Sequence, residues 1–166
     1  MTPRVLVAYA TKKGSTREVA EAIAARLEAE GLRTVVQPAG RRADLCTFDA
    51  VVLGGALYTG RWHRDARRFL RRHRRILQTM PVAVFGMGPS TDERVMRSSL
   101  AQLERALGRV SDVSPVAVTV FGGVIDPARL RFPFNRMPPS DARDGDAIDG
   151  WAHEVAGHVP GRELLV

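Results

Sequence analysis

Short, almost unbroken apolar runs recur along this chain, at Val5 to Ala10, Ala50 to Gly54, Val82 to Gly86 and Val116 to Phe121, and segments with helical periodicity separate them. A strand that is apolar on both faces has to be covered on both faces, which a parallel sheet with helical crossovers achieves. The helical segments carry the matching stripes. Val19, Ala20, Ile23, Ala24 and Leu27 precede a stop at Gly31, and Ala66, Phe69, Leu70 and Leu77 line one face of the segment 64–77. Val95, Leu100, Leu103 and Leu107 mark a third helix, and Ile148, Trp151, Ala152 and Val155 mark a last one over about 147–159. Arg33 to Gln37 reads as a fifth, short and alternating strand. The pattern predicts a doubly wound, five-stranded parallel α/β sheet with helices on both faces, formed by a single domain over 1–166.

Ligands of such folds sit at the carboxyl ends of the strands, near the point where strand order reverses. The turn Thr11-Lys-Lys-Gly-Ser-Thr16 lies there, between the first strand and the first helix. Helix-start N–H groups lack intrahelical partners and sit at the positive end of the helix dipole, so this turn is a candidate anion cradle. Ser15-x-x-Glu18 also fits an ordinary capping box, and the two uses are compatible. On this reading Ser15 serves the helix, Thr11, Thr16 and the backbone serve the anion, and Lys12 and Lys13 add charge. Ser90-x-x-Glu93 predicts a similar cap on the third helix.

Glycine follows the other strands too, at Gly54-Gly55, Gly86-Met87-Gly88-Pro89-Ser90 and Gly122-Gly123. Tyr58 and Trp62 stand beside the third strand as candidates to stack on a ring. For any one loop, easy turning and aromatics packed beneath it are sufficient explanations. For all of them together, backbone approaching a flat ligand is the better one.

Composition narrows the function classes. With 45% hydrophobic residues and 26% charged, no apolar run approaches the 18 or so residues of a membrane span. Met1-Thr-Pro-Arg-Val leads directly into the first strand and leaves no room for a signal peptide, so the expected location is the cytoplasm, or a membrane surface reached from it. The lone Cys46 has no metal-ligand spacing and is expected to be a small residue before a strand. His63 and His73 are too isolated for a metal site, and no nucleophile with an adjacent base is legible. The first turn lacks Gly-x-Gly-x-x-Gly, the Gly-Lys-Ser/Thr order of a nucleotide-binding loop and the paired acidic residues of a receiver domain.

Net charge is +7, from 25 Lys and Arg against 18 Asp and Glu. Arg61, Arg64, Arg67, Arg68, Arg71, Arg72 and Arg75 crowd the stretch 61–75. A solvated face is the first reading of such a run. An anionic contact, either an acidic redox partner or lipid headgroups, is the second, and nucleic acid is disfavoured because stacking aromatics are scarce there.

These motifs together resemble the flavodoxin-like FMN proteins, whose phosphate loop is a hydroxyl-rich turn like Thr11 to Thr16. Within that family the chain is most similar to the menaquinone-dependent protoporphyrinogen oxidases, through Ala50-Val-Val-Leu-Gly-Gly-Ala-Leu-Tyr-Thr-Gly-Arg-Trp-His63, Phe121-Gly-Gly and the late Asp146 to Trp151-Ala helix. The resemblance implies strand order 2-1-3-4-5 and FMN held non-covalently. Thr11, Lys12, Lys13, Gly14, Ser15 and Thr16 would hold its phosphate. Gly54, Gly55, Ala56, Leu57, Tyr58, Thr59, Gly60 and Trp62 would flank its ring, with Tyr58 or Trp62 against one face. Gly86, Met87, Gly88 and Pro89 would reach the pyrimidine edge, with Gly122 and Gly123 at the open side. Apart from the resemblance, His63 beside this loop is a candidate to exchange protons, with an ordinary surface histidine as the equal alternative.

Two features depart from the family. The loop 125–139, opening at Ile125 and closing at Pro139, is shorter than the basic and hydrophobic insertion of those oxidases, and the chain is basic where electron-carrier flavodoxins are acidic. One uncompensated positive charge about 10 Å from a flavin is worth about 1.7 kcal/mol at an effective dielectric near 20, which favours reduction. The implied function is an FMN-dependent oxidoreductase acting on a quinone, a small molecule or a redox partner protein. Alternatives are a non-enzymatic electron carrier and a cofactor-free binding module of the same fold.

Overall fold

The computed structural model describes residues 2–11, 14–58, 60–88, 92–110, 112–122, 124–125, 140–141 and 145–161. Its elements are β1 (Arg4–Ala10), α1 (Ser15–Ala29), β2 (Arg33–Pro38), a 3-10 turn (Leu45–Thr47), β3 (Ala50–Tyr58), β4 (Arg61–Trp62), α2 (Arg64–Leu77), β5 (Val82–Gly88), α3 (Glu93–Val110), β6 (Ala117–Gly122), β7 (Val124–Ile125), β8 (Ser140–Asp141) and α4 (Gly145–Gly157). The main sheet runs β2-β1-β3-β5-β6 with parallel pairing throughout, and β4 folds back antiparallel on β3. This is the expected order 2-1-3-4-5, in a sheet flanked by helices.

Alternation along the strands divides the core in two. Val5, Val7, Val52, Phe85 and Phe121 face α1 and α4, while Leu6, Ala8, Leu53, Val84 and Val120 face α2 and α3. Phe85, Phe121 and Trp151 of α4 form a tilted aromatic cluster with centroids 5.8–5.9 Å apart. Edge-on packing of this kind adds to area burial because ring edges are positive and faces negative. Among the described residues, no helix is long and apolar enough to cross a membrane.

Several local expectations are corrected. β3 and β5 run on to Tyr58 and Gly88, so the glycines expected to close them lie inside the sheet. Val95 is 36% exposed and Val116, outside β6, is 38% exposed, so neither belongs to the core. Cys46, in keeping with its expected place before a strand, lies exposed in the 3-10 turn ahead of β3, capped by Asp44, whose carboxylate accepts the Cys46 N–H at 3.1 Å. Asp92, not Ser90, caps α3: its Oδ1 accepts from the N–H groups of Arg94 at 2.9 Å and Val95 at 3.3 Å, while Ser90 lies outside the described residues.

His73, on α2, lies half-buried against Phe69 with ring centroids 4.7 Å apart. Burial first, and the Arg72 charge second, hold its pKa below the ordinary 6.5. The folded chain therefore binds fewer protons here than the unfolded chain. Stability that is complete above pH 6.5 is lost as pH falls through the depressed folded value. Denaturant midpoints measured below pH 6.5 should fall more steeply in the parent protein than in His73→Gln. Parallel pH profiles would contradict this.

Candidate functional site

Strand order reverses between β1 and β3, and the candidate site is built on the carboxyl edge there. Ala10 pairs with Gly55, so β3 projects three further residues, Ala56, Leu57 and Tyr58, past the end of β1. The turn into α1 follows β1 at the same edge.

The cradle turn differs from the expectation in its division of labour. Gly14 is the N-cap of α1, in the left-handed region at φ 88°, and α1 has no side-chain cap hydrogen bond. Ser15 is already the first helical residue, so the capping box does not form around it. Thr11 closes the turn, its Oγ1 accepting the Gly14 N–H at 3.0 Å. A side chain at position 14 would meet the penalty that left-handed backbone imposes on L-residues. The first-turn N–H groups of α1 are thus presented without a side-chain acceptor from the cap. Lys12 and Lys13 lie outside the described residues.

Thr16 is the distinctive member. It is fully buried, and its Oγ1 has no hydrogen-bond partner among the described residues. A buried hydroxyl left unpaired costs about 1–3 kcal/mol, so such a group in a helix's first turn calls for an acceptor that these residues do not provide. An anionic oxygen at the α1 N-terminus meets that need, and the residues present fit a phosphate group.

The glycines are explained differently. A Cβ on Gly54 would come within 2.0 Å of the Phe85 ring, and one on Gly55 within 2.5 Å of Trp62 Nε1. At Gly86 the Leu103 and Leu57 side chains would stand 3.2 Å away. Gly54, Gly55 and Ala56 pair with β1 or β5, and Gly86 and Met87 lie between β3 and β6. Gly54, Gly55 and Gly86 are closed by neighbouring side chains and flanked by paired strands, which corrects the expectation that a flat ligand accounts for glycine at these three positions. Of the described residues, the outer ends Tyr58, Gly60, Gly88 and Gly122 remain at the sheet's edge. Thr59, Pro89 and Gly123 lie outside the described residues.

Trp62 is a core residue, 1% exposed, with Nε1 donating to the Gly55 carbonyl at 3.1 Å. Gly60, at φ 80°, turns the chain so that β4 pairs with β3 and drives the indole under the sheet. That placement removes Trp62 as a stacking residue. Tyr58 is half-buried and lines a cavity of about 520 Å³ with Leu57, Val95 and Ser98. His63 is the N-cap of α2: its Nδ1 accepts the Asp65 N–H at 3.0 Å, and its ring lies 6.3 Å from that of Tyr58. The expected proton exchange is thus confined to a ring whose Nδ1 is already engaged as a helix cap. Among the described residues, no group of three His, Cys, Asp or Glu side chains could hold a metal ion.

Arg105 and Arg109 of α3 face Arg67 and Arg71 of α2 across a second cavity and were not singled out in the sequence. The available signal was their i, i+4 spacing beside the buried Leu103 and Leu107.

A parallel sheet of this order, flanked by helices on both faces, defines a doubly wound α/β fold. The family model described as a flavodoxin domain matches residues 6–137, and the chain belongs to that family. Oxidised flavodoxin 1 from Bacillus cereus superposes with a TM-score of 0.63 at 17% identity, covering 94% of this chain and 99% of that one. A mutant flavodoxin from Pseudomonas aeruginosa gives a TM-score of 0.61 at 19% identity, covering 95% and 99%. These likenesses establish the fold. Protoporphyrinogen IX dehydrogenase [quinone] from Escherichia coli K12 is 28% identical over 86 residues, which is 51% of this chain and 48% of that protein. The match therefore spans about half the length of this curated relative.

Proposed function

We propose that this chain binds FMN non-covalently at the carboxyl edge of β1, β3 and β5 and works as an FMN-dependent oxidoreductase. The observation that carries the reading is the fully buried Thr16 hydroxyl, without a partner among the described residues, beside the first turn of α1, which has no side-chain cap hydrogen bond. When bound, FMN supplies one- and two-electron transfer, and the protein supplies position and field.

The Thr16 Oγ1 and the first-turn N–H groups, released by Gly14, hold the phosphate, with Ser15 beside them. Tyr58 covers one face of the ring, and the strand ends at Gly88 and Gly122 border its far edge. The arginines of α2 make the surrounding field positive and favour electron uptake. Electron exchange with a quinone and a porphyrinogen-like donor is the finer form of this reading. It is supported by the half-length similarity to the Escherichia coli dehydrogenase. A carrier that exchanges electrons with protein partners is the second reading, favoured by the arginine-lined cavity between α2 and α3. Either role is placed in the cytoplasm or on a membrane surface facing it.

Titrating the flavin-free protein with FMN and with riboflavin, read by flavin fluorescence quenching, tests the phosphate site. Charge-assisted hydrogen bonds of about 1.5–3 kcal/mol predict that FMN binds about tenfold or more tightly than riboflavin. Equal affinities would contradict the assignment of the α1 N-terminus to phosphate.

A further inference from the structure

Two cavities meet beside the β3–β4 hairpin. The one of about 520 Å³ is apolar at Leu57, Tyr58 and Val95. The other, of about 480 Å³, runs between α2 and α3 and is walled by Arg61, Arg67, Arg71, Arg105 and Arg109. Gly60 and Gln102 line both, so the two adjoin as a trough whose one end is mainly apolar, with Arg94 at its wall, and whose other end is cationic.

The cationic end is built from two helices. Arg67 and Arg71 lie four residues apart on α2, Arg105 and Arg109 four apart on α3, and Ala106 and Val110 line the same cavity. Two of the guanidinium groups are anchored through Nε, Arg67 to the Trp62 carbonyl at 3.1 Å and Arg105 to the Ala101 carbonyl at 3.3 Å. The ion pairs among the described residues are Arg17–Glu21, Arg26–Glu30, Arg97–Glu93 and His153–Glu30, and none involves the five arginines of the trough. Like charges four residues apart on a helix destabilise it, and here no carboxylate among the described residues pairs with them. An acidic partner would supply the counter-charge that these residues lack.

We propose that this trough docks an acidic segment of a protein redox partner, its carboxylates between the arginine rows and one apolar side chain in the cavity at Val95. Apolar anchoring at one end and complementary charge along the rest is the anatomy of a protein interface. A flat lipid surface does not enter a recess between two helices. Single-stranded nucleic acid needs a succession of stacking faces, and the aromatic at the arginine end, Trp62, is 1% exposed. The apolar end adjoins Tyr58, so the docked segment ends beside the proposed flavin ring. That redox role rests on the FMN reading above, whereas the docking itself does not.

The test is fluorescence anisotropy of a short labelled peptide of alternating Asp and Glu with one terminal Phe, titrated with FMN-reconstituted protein. Saturable binding that weakens with salt is expected. Arg67→Gln combined with Arg105→Gln should weaken it about tenfold, since each lost charge pair removes a modest coupling. Val95→Asp, or a peptide without Phe, should also weaken it, and Arg33→Gln on the far edge strand should leave it unchanged. Absence of saturable binding, an equal loss in Arg33→Gln, or tighter binding of anionic vesicles or a single-stranded oligonucleotide would overturn the proposal. Flavin absorbance and circular dichroism are read on the same samples. Flavin-loaded, folded protein that ignores the peptide overturns docking alone, and protein that binds peptide but takes up no FMN overturns the cofactor reading alone.

Discussion

Thr16→Val should weaken FMN binding by tenfold to a hundredfold, about 1.5–3 kcal/mol, while leaving the flavin-free protein as stable as before or slightly more so. The two halves of this result have one cause. Valine matches threonine in shape, so the buried site stays filled. In the flavin-free protein the substitution removes a buried hydroxyl that has no partner among the described residues and, with it, a desolvation penalty. In the loaded protein it removes a donor to a phosphate oxygen. Thr16→Ser, which keeps the hydroxyl, should retain most of the affinity and lose some stability through the missing methyl. A hydroxyl with a purely structural role would give the reverse pattern: loss of stability in Thr16→Val without FMN, and no change in affinity. Calorimetric unfolding and flavin titration on the same three proteins separate the two.

The largest loss of stability is expected from Gly54→Ala, at about 3 kcal/mol, because the new Cβ would lie 2.0 Å from the Phe85 ring, in the middle of the sheet. That ring is also part of the cluster with Phe121 and Trp151, so it has little room to retreat. Phe85→Leu alone should cost about 1–3 kcal/mol through lost packing. Combined, the two should cost less than their sum by at least about 1 kcal/mol, since each relieves the other. Urea midpoints at constant slope give the cycle directly. Additive losses would mean that the backbone, rather than Phe85, resists a side chain at position 54.

These two residues also show how far the sequence could be read. The apolar runs located β1, β3, β5 and β6, a short alternating run located β2, and the two-sided burial predicted the sheet, because side-chain alternation and helix periodicity are local properties. The carboxyl edge and its cradle turn were legible for the same reason. Gly54 was not: its meaning depends on Phe85, its partner across a strand pair that no local pattern specifies. Trp62 was misplaced because the β4 hairpin, set by one left-handed glycine, turns its indole inward. The Ser15-x-x-Glu18 and Ser90-x-x-Glu93 boxes matched a common spacing, yet Gly14 and Asp92 took the capping positions. Arg105 and Arg109 read as ordinary solvated charges until the packing of α3 against α2 set them opposite Arg67 and Arg71. Expectations for the loop between β7 and β8 fall on 126–139, outside the described residues.

The absorption spectrum of the purified protein after incubation with FMN and removal of unbound flavin tests the central claim most directly. The account predicts a retained, vibrationally structured flavin band at about one FMN per chain, released by acid, and a loss of that retention in Thr16→Val. A colourless protein, or flavin retained equally by the parent and by Thr16→Val, would contradict it.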